Sequence, residues 1–256
     1  MTTETKPAER LLCLDTLRGF DMFWIIGGDA FFQALAAVTG WGWARQCALQ
    51  LDHVPWAGFH FYDLIFPLFM FISGVAIPYS LLAKAESGAP RAGIYGRLVR
   101  RALLLVVLGF VYNGLLKLDF ADQRYPSVLG QIGLAYLFAA LIMLGIRSLK
   151  GRLIALGALL AGIAGLQLLV PVPGAGAGVL TPAGTINGWL DRLLLPGRLY
   201  DGIFDPEGIL CIISATSVTL MGGLAVWSSR RPRSRISGRR SSCWPAGQGS
   251  SRPAFS

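Results

Sequence analysis

Histidine is nearly absent: the 256 residues contain two, His53 and His60. Cysteine is almost as scarce. Cys13, Cys47, Cys211 and Cys243 are scattered, with no Cys-x-x-Cys pair and no histidine at ligand spacing, which argues against a zinc framework and a disulfide scaffold. Charge is thin as well, with Asp, Glu, Lys and Arg making up 14% of the chain. The 32 glycines build neither a GxGxxG nor a GxxxxGK(S/T) phosphate loop, and Gly174 to Leu180 (GAGAGVL), after Pro171 and Pro173, reads as a connector. No internal repeat is visible. What fills the chain instead is apolar: 54% of residues are hydrophobic and the mean hydropathy is +0.55. Such a composition is that of an all-α polytopic membrane protein, a helix bundle, and not of a soluble domain.

Six stretches have the roughly 17 to 25 residues that a bilayer crossing requires. They run from Gly19 to Val38, Phe61 to Leu82, Ala102 to Leu118, Val128 to Ile146, Leu153 to Val170 and Ile209 to Trp227. The first carries Asp21, Asp29 and the pair Gly27-Gly28, a pattern expected of a broken or tilted helix beside a cavity. Its polar leader, Met1 to Arg10, and its length mark it as a retained anchor, not a cleaved signal.

Lys and Arg set the orientation. Alternate sides hold 18 and 5 of them, or 11 and 5 without the tail, so residues 1–18, the second and fourth loops and the tail are expected in the cytoplasm. His53 then faces the outer or periplasmic side of the cell (inner) membrane, together with the loop from Pro171 to Gly208. Residues 19–227 form the bundle. Residues 228–256 change abruptly to Arg, Ser, Pro and Gly, which fits either a basic disordered tail or an out-of-frame reading of a G+C-rich gene. No aromatic interleaving of the basic residues points to nucleic acid. Membrane lipid is the expected surrounding, and a homo-oligomer is compatible with the apolar faces.

The chemistry is expected where His53 precedes the second stretch. Imidazole moves protons near neutral pH, and Asp63, ten residues on, is a candidate partner as well as a favourable charge at a helix start. Pro67 implies a kink nearby. Asp29, about 11 residues into the first stretch and therefore roughly 16 Å deep on a regular rise, is either a packing acid or part of a solvated cavity. Asn113 and Gln131 are expected to bond between helices. On the opposite face GRLVRR, Gly96 to Arg101, is a topology signal with a possible second use in holding phosphate.

Four ordered runs carry a resemblance. LDTLRGFDMFWIIGGD (Leu14 to Asp29), HVPWAGFHFYDLIFPLFMFISGVAIP (His53 to Pro78), VLGQIGLAYL (Val128 to Leu137) and LDRLLLPGRLYDGIFDPEGIL (Leu190 to Leu210) resemble the heparan-alpha-glucosaminide N-acetyltransferase family and its bacterial relatives. The resemblance implies a membrane acyltransferase that takes acetyl from cytoplasmic acetyl-CoA and delivers it to an amino sugar on the opposite side, with no metal. The family's histidine matches His53, with Trp56 and Gly58 in step. Asp63 and Asp29 are then its candidate catalytic partners. Arg18, Arg97, Arg100 and Arg101 are the candidates for the phosphates of CoA, and Trp56, Asp205 and Glu207 for the sugar. Asp29 departs from the family pattern, which has asparagine there. The family continues with further membrane helices, so an inactive truncated fragment is one alternative; a small-solute transporter is another.

Overall fold

A computed structural model describes residues 12–200 and 202–230. Those residues form helices joined by loops, with isolated bridges at Arg124–Gly197 and Val172–Gly176 and no strand among them. Five helical segments are long and apolar enough to cross a membrane: Leu12–Thr39, Phe61–Glu86, Val128–Gly145, Leu149–Leu169 and Ile209–Ser228. The polytopic bundle expected from composition is therefore present.

The first segment is broken, as its glycine pair implies. Helix α1 (Leu12–Phe23) gives way to a wide turn over Trp24–Gly28, and Gly27 adopts φ 147°, a conformation that side chains resist. Helix α2 (Asp29–Thr39) then continues and packs on α3 (Gly42–Gln50). The second segment is one composite rod: a 3-10 turn at Phe61–Leu64, α4 (Ile65–Ile77), a wide turn at Pro78–Leu82 and α5 (Ala83–Glu86). Pro67 lies in the first turn of α4, where its missing N–H is not needed, so the irregular turn within the rod begins at Pro78 instead.

The third stretch needs the largest correction. Its helix, α6 (Arg91–Tyr112), starts 11 residues before the expected Ala102 and stops at Tyr112, where Gly114 at φ 103° turns the chain. At 22 residues, roughly 33 Å long, α6 has the length of a crossing, but Arg91, Arg97, Arg100 and Arg101 keep it out of the apolar set. Asn113 is not an interhelical residue. Its Nδ2 donates to the carbonyls of Arg124 (3.2 Å) and Pro126 (2.6 Å), closing the loop that follows.

Helices α7 (Val128–Gly145), α8 (Leu149–Leu169), α9 (Ile186–Leu194) and α10 (Ile209–Arg230) complete the bundle. At its centre α4, α7 and α10 pack together around Met70, Ala135, Ala139, Ala140, Met143 and Leu220, all of them wholly buried. The backbones meet because small residues line the seam: a Cβ on Gly74 would strike the Thr219 carbonyl, and one on Gly222 the Phe71 carbonyl. Between helices in lipid, where apolar transfer contributes nothing, such close contact is the main attraction.

Three loops gather at one end. Trp56 Nε1 donates to the Leu180 carbonyl at 2.6 Å, its ring meets Phe204 at 4.9 Å, and Arg124 pairs with Asp205. This end, which carries His53, is called the mouth below. The start of α6 and the ends of α5, α7 and α10 lie at the other.

Candidate active site

His53 occupies the irregular segment between α3 and the rod, and two carboxylates shape that segment. Asp52 Oδ1 accepts from the His53 backbone N–H at 2.9 Å, and the Asp52 carbonyl meets His60 Nδ1 at 2.8 Å. Asp63, in the opening turn of the rod, accepts from the His60 N–H through Oδ2 at 2.9 Å, as an acid at a helix start commonly does. Its other oxygen, Oδ1, stands 2.7 Å from His53 Nδ1.

That last contact orients the histidine. An ionised carboxylate only accepts, so Nδ1 donates to it, which leaves Nε2 as the ring nitrogen away from the pair. The His53 side chain is 68% exposed against 22% for Asp63. No hydrogen bond engages Nε2 among the described residues. A histidine oriented through Nδ1, with Nε2 open to an incoming group, is the arrangement of a general base or a nitrogen nucleophile.

The sequence did not single out Tyr62. Its ring lies edge-on to His53, centroids 4.9 Å apart, and its hydroxyl interacts with the Asp29 carboxylate. Asp29 opens α2 directly after the break at Gly27 and meets Tyr62 in the opening turn of the rod. The same break brings Trp24 against Phe61, with centroids 5.4 Å apart. Asp29 thus reaches the histidine only by way of Tyr62.

Trp56 turns toward the long loop, joining the His53 segment to Leu180 and Phe204. Asp205 is saturated. It receives Arg124 Nε at 2.8 Å and Nη2 at 2.6 Å, with the backbone N–H groups of Tyr200 and Glu207 each at 3.0 Å, and its side chain is fully buried. Arg124 Nη2 also contacts Glu207. A carboxylate so engaged holds a loop in place and has no free oxygen direction for an amine. Beside it Asp191, 1% exposed, accepts from the N–H groups of Ile209 (3.1 Å) and Asp205 (3.3 Å). Burial raises the Asp191 carboxyl above the ordinary carboxylate range, against the lowering pull of those two donors.

The arginines expected at CoA do not form one cluster. Arg18 lies on α1, 3.7 Å from Asp15, and α1 packs on α4. Arg97, Arg100 and Arg101 share one face of α6, which packs on α7; Arg101 sits over the Tyr136 ring at 4.6 Å. Among the described residues no group of three His, Cys, Asp or Glu is disposed to hold a metal.

No family model matches the chain. It is 25% identical over 268 residues to the heparan-alpha-glucosaminide N-acetyltransferase of Mus musculus and 28% identical over 263 residues to that of Homo sapiens. The chain resembles these acetyltransferases over most of its length. The matches cover 86% and 83% of it, but it spans only 39% and 37% of the two relatives. The likeness read from four short runs therefore extends across the bundle.

Proposed function

We propose that this bundle belongs to a membrane acyltransferase that moves acetyl from cytoplasmic acetyl-CoA to the amine of a glucosamine-like sugar at the mouth. The observation that carries the reading is the 2.7 Å contact of His53 Nδ1 with Asp63, on a histidine whose other nitrogen is open. The similarity to named N-acetyltransferases supports the reaction class.

In the direct route His53 Nε2 takes a proton from the amine as nitrogen attacks the thioester carbonyl. The C–N bond forms, the C–S bond breaks, and the leaving thiolate is protonated. Asp63 stabilises the imidazolium in between. In the covalent route Nε2 itself attacks, CoA leaves, and the amine then displaces the acetyl group from imidazole. An acetyl-protein that is isolable from the parent and missing from His53→Ala selects the second; kinetics requiring a ternary complex select the first. Tyr62 and Asp29 extend the polar wall beside the ring. Trp56 and Glu207 border the sugar's approach, and Asp205 acts through the loop it anchors. Arg97, Arg100 and Arg101, which share one face of α6, serve the phosphates of CoA from the cytoplasmic side, the basic side of the chain, and Arg18 on α1 is not grouped with them.

Proteoliposomes test the sidedness. With acetyl-CoA on the α6-arginine face and labelled glucosamine on the His53 face, N-acetylglucosamine is expected. Product that forms only when both substrates share a face would refute transfer across the bundle, and glucosamine uptake without acetylation would point to a transporter.

A further inference from the structure

The loop that joins α6 to α7 at the mouth presents large apolar side chains that the rest of the fold leaves uncovered. Leu116, Leu118 and Phe120 are 77%, 71% and 58% exposed, and Lys117 and Asp119 alternate with them. They continue a strip that α6 already turns outward through Leu104, Val107, Leu108 and Tyr112. In a membrane bundle such a strip is the surface that meets lipid. The level of the loop follows from helix packing. Gly109 of α6 lies against Ser127, the residue that caps α7, so the two helices end at nearly the same height and the loop sits just past them. Hydrocarbon gives way to headgroups at that height. We propose that residues 114–120 are an anchor inserted shallowly into the mouth-side leaflet, with phospholipid as the partner.

The backbone of the loop is built for that place. Leu118 adopts φ 57°, and among the described residues no other residue except glycine has a positive φ. A leucine resists this conformation, which glycine or asparagine takes more readily. The turn is closed by the Lys117 N–H donating to the Gly114 carbonyl at 2.8 Å and the Leu118 N–H to the Leu115 carbonyl at 3.1 Å. It turns Leu116 and Leu118 away from the protein, so little inside the fold offsets the strain, whereas transfer of both side chains from water to lipid does. Backbone near hydrocarbon also needs its polar groups satisfied by the protein. Asn113 serves the carbonyls of Arg124 and Pro126, and the buried Gln123 donates to those of Phe110 (3.4 Å) and Arg124 (2.8 Å). Lys117 has a stem long enough to bring its ammonium back to water. Past the anchor the loop reaches Arg124, which holds Asp205, so the bilayer surface and the mouth are tied together.

Nothing in this inference rests on the acyltransferase reading. Phe120→Trp, with the full chain in phosphatidylcholine liposomes, adds emission to the seven tryptophans of the parent; Leu118→Trp serves if the first variant does not insert. Asp122→Trp, at an exposed position of the same loop, is the reference for water. Brominated phosphatidylcholine is expected to remove most of the added emission at position 120 and acrylamide little of it, with the order reversed at position 122. Quenching at position 120 by acrylamide and not by brominated lipid would overturn the inference, because the loop would then stand in water. Shielding from both quenchers would overturn it as well, in favour of a second copy of the chain covering the loop.

Discussion

Two charged sets stand at the mouth of the bundle, a trio and a pair, and they differ in how much of their capacity is spent. Arg124, Asp205 and Glu207 form a closed set: the Asp205 side chain is fully buried, Arg124 is 16% exposed, and Asp205 accepts from two further N–H groups. His53 and Asp63 form an open one, with the acid committed and the histidine 68% exposed and bonded through Nδ1 alone among the described residues. A saturated set fixes geometry; a half-saturated pair retains reactivity. The first builds the loop against which the second works, and Trp56 connects them.

The comparison breaks most severely at Arg124. Arg124→Ala strands two acids in a part-buried site, and a loss of about 3–5 kcal/mol is expected, read as a lower thermal midpoint with acetyl transfer failing alongside. Asp63→Asn should do the opposite. Folding should persist, while the imidazole loses its orienting acid and the acetyl-transfer rate drops roughly 100-fold; an unchanged rate would remove Asp63 from the chemistry. Trp56→Phe deletes one hydrogen bond between the two regions, worth about 1 kcal/mol, and should raise KM for the sugar more than it lowers kcat.

The smallest effect belongs to Asp191→Asn. Because the native carboxyl is raised, the folded state favours the protonated acid, so this group's contribution is present at low pH and declines as pH rises through the ordinary carboxylate value toward the raised one. Asparagine keeps an acceptor without that titration. Its stability relative to the parent should therefore improve from acid to neutral pH, as a pH series of unfolding midpoints would measure.

The bundle was legible because lipid imposes one requirement, long apolar helices, and composition states it directly. The start of α6 was hidden since its arginines interrupt the apolar signal although the backbone continues through them. His53 and Asp63 could be paired from scarcity and spacing. Tyr62 could not, as an aromatic at a membrane edge resembles an anchor, although its place immediately before Asp63 was a clue. Arg124 was read only as a topology charge. Its role depends on residues 81 and 83 positions away, and nothing local marks such a pairing. The meeting of Asp29 with Tyr62 was not legible either, because it joins two helical segments and nothing local marks it.

The decisive measurement is acetyl transfer from labelled acetyl-CoA to glucosamine in membranes, comparing the parent chain with His53→Ala at matched expression and melting temperature. The expected result is N-acetylglucosamine from the parent and a fall of roughly 100-fold or more in the variant. Equal rates in the two would contradict the assignment of the open pair as the reactive one.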